Sequence, residues 1–391
     1  MKRILIVGAG FGGLGVAKAL ASTLRASDET EVVLLEKSKY FYHAIGAPRG
    51  YVDAEYTNKL FIPYDKAIPG TSVNWIRAVV TAIKAETNEI EYQAINEDDQ
   101  PATKTETLSF DYLVLATGSS YTVPIKEDPH NFAPDFTKQQ LTQVQKQITN
   151  AESILIVGGG GVGCEVAGEI ASYFPDKKIT LLHSRDRLCS SNNLTHKFHE
   201  YAMYSLDKLN VNVVLGERLM HRLTANTFER RVLTTDKSTA IESDVQLLCG
   251  GYHPLSEMVA AMDASLVDDT GSVRVNASLQ LDDSKYSHIF AVGDVTNHPT
   301  PKSAGAAYHH GQFVAKELVA LVRNKEHKVT RVFPSRTTEG MSLSLGPNGG
   351  VTQLPVFSGI VFGDMLTRFF KSGDLYASRM WRMLNAQAPE R

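Results

Sequence analysis

The spacing of apolar residues changes twice within the first 40 positions. Ile4 to Val7 is an unbroken apolar run rich in β-branched side chains, as expected of a strand buried on both faces. After Gly8, Gly10, Gly12 and Gly13, the apolar positions Leu14, Ala17, Leu20 and Leu24 follow helical spacing, so this stretch reads as strand, tight turn and helix. A second run, Glu31 to Leu35, closes on Glu36, and residues 3–36 make one βαβ unit. Tyr112 to Ala116 is another buried strand, ending in Thr117, Gly118 and Ser119.

The same grammar restarts at Ser153. Ile154 to Val157 form a strand, Gly158 to Gly163 a glycine turn, Val166 to Ser172 the start of a helix, and Lys178 to Leu182 a second strand ending at His183. A duplicated unit argues for two nucleotide-binding domains in one chain. Between the units, residues 122–150 are polar and Gln-rich and predict a connector followed by a helix. Val245 to Leu248 runs into Gly250 and Gly251, and His288 to Val292 into Gly293 and Asp294, ahead of a helix starting over Ala304 to Gly311. From about Thr330 the texture turns to Ser, Thr, Gly and Pro, then to an apolar and basic stretch, Val356 to Leu384. The expected fold class is therefore α/β: two Rossmann-like dinucleotide-binding domains, 1–121 with 252–329 and 122–251, plus a small C-terminal α+β domain, 330–391.

Size and composition narrow the field. A chain of 391 residues exceeds what one hydrophobic core serves. Forty basic against 43 acidic side chains leave a formal charge of -3, which gives nucleic acid no field to follow. Cys164, Cys189 and Cys249 fit neither a disulfide framework nor a zinc spacing, and no metal is expected; a reducing, cytoplasmic setting is. With a strand from Arg3 and Lys2 after Met1, neither a targeting peptide nor a myristoylation signal is expected, and no apolar run is long enough to span a membrane.

The glycine turns supply the chemistry. In Gly8-x-Gly10-x-x-Gly13 the first glycine permits the turn, the second admits a pyrophosphate, and the third lets helix pack on strand. Amides at the helix N-terminus then face phosphate. Glu36, about 20 residues on, is placed to accept the hydroxyls of an adenosine ribose. Gly158, Gly160 and Gly163 repeat the turn, but the second strand there ends in His183, Ser184, Arg185 and Arg187. Neutral and basic groups do not repel a 2'-phosphate, so NADPH should be accepted, unless the arginines form only a solvated face.

The motifs VGAGFGG at 7–13, LATGS at 115–119, VGGGGVGCEVAGEI at 157–170, TLLHS at 180–184, AVGDVTNHPTPK at 291–302 and SLGPNGGVTQLP at 344–355 carry a family likeness. Through them the chain resembles the FAD-dependent pyridine nucleotide-disulfide oxidoreductases of the apoptosis-inducing-factor-like group, most of all the ferroptosis suppressor protein branch. The resemblance implies the glutathione-reductase-like flavoprotein fold. It assigns FAD to the first unit, through Gly8, Gly10, Phe11, Gly12, Gly13, Glu36, Lys37, Arg49, Val80, Thr117, Gly118, Gly293 and Asp294. It assigns NADH or NADPH to the second, through Gly158, Gly160, Gly161, Gly163, His183, Arg185 and Gly250, with Glu165 beside the nicotinamide. Lys302 corresponds to a lysine close to the flavin ring, so Lys302 and Glu165 are the catalytic candidates. The disulfide-reducing members carry a cysteine pair that residues 37–60 lack, and thiol chemistry is not expected.

The resemblance further implies a quinone acceptor such as ubiquinone, and a monomer or homodimer, cytoplasmic or peripheral on a membrane such as the mitochondrial outer membrane or lipid droplet. Phe357, Ile360, Val361, Met365, Leu366, Phe369 and Phe370, read at helical spacing with Arg368, Lys371, Arg379 and Arg382 nearby, form a basic amphipathic surface for a membrane, or a face buried on the first domain or a second subunit. His43, His253, His309 and His310 read as structural, with His309 or His310 near the flavin. An NAD(P)H oxidase, a ferredoxin-type reductase and a flavin-containing signalling protein remain alternatives.

Overall fold

The computed structural model describes every residue except 71, 191–192, 251, 336–338 and 390–391; the predicted turn residue Gly251 therefore lies outside the described residues. A seven-stranded sheet forms the first layer, in the order Ile289–Ala291, Tyr112–Leu115, Lys2–Val7, Thr30–Glu36, Asn74–Lys84, Glu89–Ala94, Glu106–Ser109. The first five strands run parallel, with Ile4 paired to both Val32 and Tyr112. The pleat sends alternate side chains to opposite faces, and helices cover both. Ile4 and Ile6 pack with Val16, Leu20, Val314 and Leu318 on one side. Leu5 and Val7 pack with Leu113, Leu115 and Val80 on the other. The last two strands turn antiparallel, an extension that the apolar pattern over 74–109 does not announce.

A smaller parallel sheet repeats the arrangement in the order Val211–Leu215, Lys178–His183, Ser153–Val157, Val245–Leu248. Both sheets thus place the strand preceding a glycine turn at or near their centre, and the helices Phe11–Thr23 and Gly161–Tyr173 start directly from those turns. The connector leads into a helix over Pro134–Asn150, whose Leu141, Val144 and Ile148 are buried in a core cluster that joins residues of the first and second units.

The C-terminal segment holds an antiparallel sheet of Met341–Ser344, Gly350–Leu354 and Ile360–Phe362. Its final helix, Ala377–Met383, buries Met380 and Trp381 with Leu14, Phe41 and Ile62 of the first unit. One expectation fails here. Residues 357–370 are not a single helix: Phe357 and Ser358 hold positive φ, Ile360–Phe362 is a strand, and helical turns begin only at Asp364–Thr367. Short apolar runs carry too little periodicity to separate strand from helix.

Candidate dinucleotide site

The first glycine turn works as the motif requires. Gly8 has φ +97°, and a Cβ there would lie 2.5 Å from the Ala116 carbonyl oxygen. A Cβ on Gly13 would lie 1.8 Å from the Gly8 oxygen, so only glycine lets this helix approach its strand. Gly10 is the opposite case: a Cβ would meet nothing within 4 Å, because it would project into the cavity that the turn borders. Glu36 braces the turn, its Oε2 accepting the Ala9 N–H at 2.5 Å and its Oε1 accepting the Ser38 N–H at 2.8 Å.

That cavity encloses about 510 Å³. Gly8, Gly10, Phe11 and Gly12 line one wall, with Glu36 and Lys37 beyond them and Val80 opposite. Thr117, Gly118, Gly293, Asp294 and Lys302 complete the frame, whereas Gly13 packs behind the turn. The Thr117 hydroxyl donates to the Leu255 carbonyl at 2.7 Å. Asp294 accepts from the Ser119 hydroxyl at 2.8 Å and from the Lys126 ammonium at 3.2 Å. Lys302 points its ammonium at the Thr296 carbonyl, and burial lowers its pKa against the opposing pull of Asp294 and Asp268. Behind this frame His310 is buried, its Nδ1 accepting the Gly293 N–H at 3.2 Å while Nε2 meets the Thr300 hydroxyl at 2.8 Å. Burial drives its pKa to about 3, so the ring is neutral and fixed in one tautomer. His309 is exposed.

Sequence reasoning missed two contributors. Lys126, Glu127, Pro129 and His130 of the connector reach the cavity, and Phe41, Tyr42 and Tyr64 give it an aromatic wall. No local motif marks the connector residues; only the path of the chain brings them there.

The second turn copies the first. Gly158 has φ +120° with its Cβ position 2.3 Å from the Cys249 oxygen, the Gly163 Cβ position is 1.7 Å from the Gly158 oxygen, and Gly160 is open. Gly161 starts the helix against Met341, and the Gly250 nitrogen lies 3.2 Å from the Gly158 Cβ position. His183 stands where Glu36 stands in the first unit: its Nδ1 accepts the Gly159 N–H at 3.2 Å. Arg185 and Arg187 are exposed just beyond it.

Two of the expected ligand contacts are engaged elsewhere in the fold. Arg49 is buried away from the cavity, its guanidinium donating to both oxygens of Glu169 at 2.8 and 3.0 Å and to the carbonyls of Ser372 and Gly373 at 2.7 and 3.1 Å. Four of its five N–H donors are thus spent, and Arg49 is not among the residues that line the cavity. Glu165 likewise faces the C-terminal segment, where its Oε1 accepts from Lys371 Nζ at 2.5 Å and from the Ser344 N–H at 3.1 Å. A carboxylate so engaged is a poor partner for a nicotinamide, and Lys371 is a buried counter-ion and no part of a basic surface.

The donor set fits two dinucleotides: twin glycine cradles open at Gly10 and Gly160, a ribose acceptor at Glu36, and a cation at Lys302 facing the first cavity. The chain is 33% identical to apoptosis-inducing factor homolog A of Dictyostelium discoideum across 99% of this chain and 93% of that one. Human ferroptosis suppressor protein 1 is 29% identical, across 99% and 96% of the two chains. Among solved structures, the sulfide:quinone oxidoreductase of Aquifex aeolicus superposes with a TM-score of 0.76 at 16% identity, covering 100% of this chain and 93% of the other. The NADH-bound water-forming NADH oxidase of Lactobacillus brevis gives 0.62 at 19% identity, over 90% and 75%. Residues 2–311 match the pyridine nucleotide-disulphide oxidoreductase family, and the chain belongs to it: a flavoprotein oxidoreductase whose cofactors are FAD and NADH or NADPH.

Proposed function

We propose that this protein is an NAD(P)H:quinone oxidoreductase. In this reading residues 1–121 and 252–329 hold FAD, residues 122–251 hold NADH or NADPH, and residues 330–391 present the acceptor side. Bound FAD would supply the redox chemistry, as carrier of a hydride equivalent between the nicotinamide and a quinone whose reduction to quinol takes up two electrons and two protons. The chain's own residues orient and stabilise. Gly10 and Gly160 admit the two pyrophosphates, Glu36 takes ribose hydroxyls, Asp294 accepts a hydroxyl on the flavin side, and the Lys302 ammonium offers positive charge to the cavity.

The observation that carries the choice of a quinone is the apolar exterior of the C-terminal segment. Phe357, Met365 and Phe369 are 90%, 86% and 83% exposed, and Arg368, Arg379 and Arg382 of the same segment are exposed as well. An apolar acceptor dissolved in lipid needs such a docking face, with cations to meet anionic headgroups. Residues 37–60 hold no cysteine, so the thiol pair of the disulfide-reducing members is missing from that segment. The Aquifex aeolicus relative in fold is named for a quinone and matches this chain through its C-terminal segment. No helix among the described residues is long and apolar enough to cross a membrane.

The test is steady-state oxidation of NADH and NADPH by the yellow, flavin-loaded chain with a short-chain ubiquinone analogue. Quinone-dependent turnover well above the rate with oxygen alone is expected. Turnover that ignores quinone and follows oxygen or a protein acceptor would overturn the quinone reading.

A further inference from the structure

The cavity contains a second carboxyl that neither glycine turn foretells. Glu127 comes from the connector ahead of the Pro134–Asn150 helix and lines the cavity with Glu36 and Lys37. Ser38 ties the two acids together: its N–H donates to Glu36 Oε1 at 2.8 Å and its hydroxyl to Glu127 Oε2 at 3.4 Å. The other Glu36 oxygen is committed to the Ala9 N–H of the turn at 2.5 Å. Each Glu36 oxygen thus keeps one acceptor site, and a protonated second carboxyl on the same wall would add what Glu36 lacks, an O–H donor for a ligand diol.

Resting on the FAD reading of this cradle, we propose that Glu127 is its second ribose-binding carboxyl, sharing the vicinal diol with Glu36 and keeping its proton while the cofactor is held. The connector then closes over the ligand it helps to bind.

The surroundings explain the proton. Two neighbouring carboxyls do not both ionise readily, and burial followed by the charge of Glu36 lifts Glu127 to about 7. Lys37 opposes this, but its ammonium is turned to the Pro129 carbonyl at 2.7 Å and lies over the Phe132 ring. Tyr42 and Tyr64, from the other side, are held neutral by burial. Glu257 and Asp128 add negative charge around Lys37, and His130 of the same connector is exposed. A bound diphosphate adds more negative charge, so the occupied cradle keeps the Glu127 proton to higher pH than the empty one. A group whose pKa rises on binding strengthens binding below its free value and loses that contribution as pH climbs past it. Affinity for FAD should therefore be full below about pH 7 and decline above it.

The measurement is a titration of the flavin-stripped, full-length chain with FAD, read by quenching of flavin fluorescence from pH 6.5 to 8.5. Wild type should weaken about fivefold between pH 7 and pH 8. Calorimetry at pH 8 in buffers of different ionisation enthalpy should show proton uptake. Glu127→Gln should bind FAD as wild type does at pH 6.5, independently of pH and without proton uptake, while Glu127→Ala should bind more weakly throughout. An unchanged pH profile in Glu127→Gln, or no proton uptake by wild type, overturns the proposal. If wild type quenches no flavin at any pH, the flavin reading of the cradle fails and the proposal falls with it.

Discussion

At the scale of single residues, duplication makes the chain its own control. Glu36 and His183 end equivalent strands and accept equivalent turn amides, from Ala9 and Gly159, yet one is an acid and the other a base. A carboxylate at this place turns away a 2'-phosphate, whereas an imidazole followed by Arg185 does not. Arg185→Ala should raise KM for NADPH about tenfold, the equivalent of losing about 1.4 kcal/mol of charge-assisted contact, and leave KM for NADH unchanged. Equal effects on the two nucleotides in steady-state assays would remove the 2'-phosphate role. Lys302 is a different kind of residue, a partly desolvated cation bordering the first cavity. Lys302→Ala should reduce kcat about a hundredfold with flavin content per chain, read from absorbance, unaltered. Both residues were visible in the sequence because each stands beside a motif. Glu127 was not, because its partner Glu36 lies 91 positions away in the chain and only the fold brings them together.

At the scale of elements, the helix Gly161–Tyr173 does two jobs. Its glycine-rich first turn forms the cradle, and one flank carries Glu165 and Glu169, a helical turn apart. These reach in different directions, Glu165 to Lys371 of the C-terminal segment and Glu169 to Arg49 of the first unit. A single helix thereby clamps three parts of the chain with buried ion pairs. Arg49→Ala would strand the Glu169 carboxylate in a dry interface, a loss of about 3–5 kcal/mol. Its expected signature is a clear fall in Tm by calorimetry, with NAD(P)H oxidation itself retained at low temperature. A Tm within a degree of wild type would show the pair to be dispensable. Here the motif misled: the acid following GGGGVG and the arginine of FYHAIGAPRG look like ligand contacts, but their charges are spent on each other's neighbours.

At the scale of the whole molecule, the question is what the apolar outside of the C-terminal segment faces. Phe357, Met365, Phe369 and Phe370 are all exposed, Phe369 and Phe370 in edge-to-face contact, and Tyr201 packs near Gly363. If this face meets lipid, each phenylalanine transferred from water contributes about 1.5–3 kcal/mol. Replacing Phe357 and Phe369 together by Ser should abolish co-sedimentation with vesicles containing anionic lipid, while oxidation of NADPH with a water-soluble quinone analogue stays near wild type. Undiminished co-sedimentation would mean that the patch serves another partner.

Much of the architecture was legible from local pattern alone. Glycine spacing, buried strand runs and the acid at Glu36 specify the βαβ units, because a tight turn beside a phosphate restricts which residues fit at each step over some thirty positions. What the tertiary structure alone decided is where long-range charges go. Arg49 and Glu165 were pulled into ion pairs, Glu127 was carried into the cavity, and the stripe from Phe357 to Phe370 broke into strand and turns. Each of these depends on partners distant in the chain, and a buried charge settles wherever a counter-charge is offered, which no local spacing records.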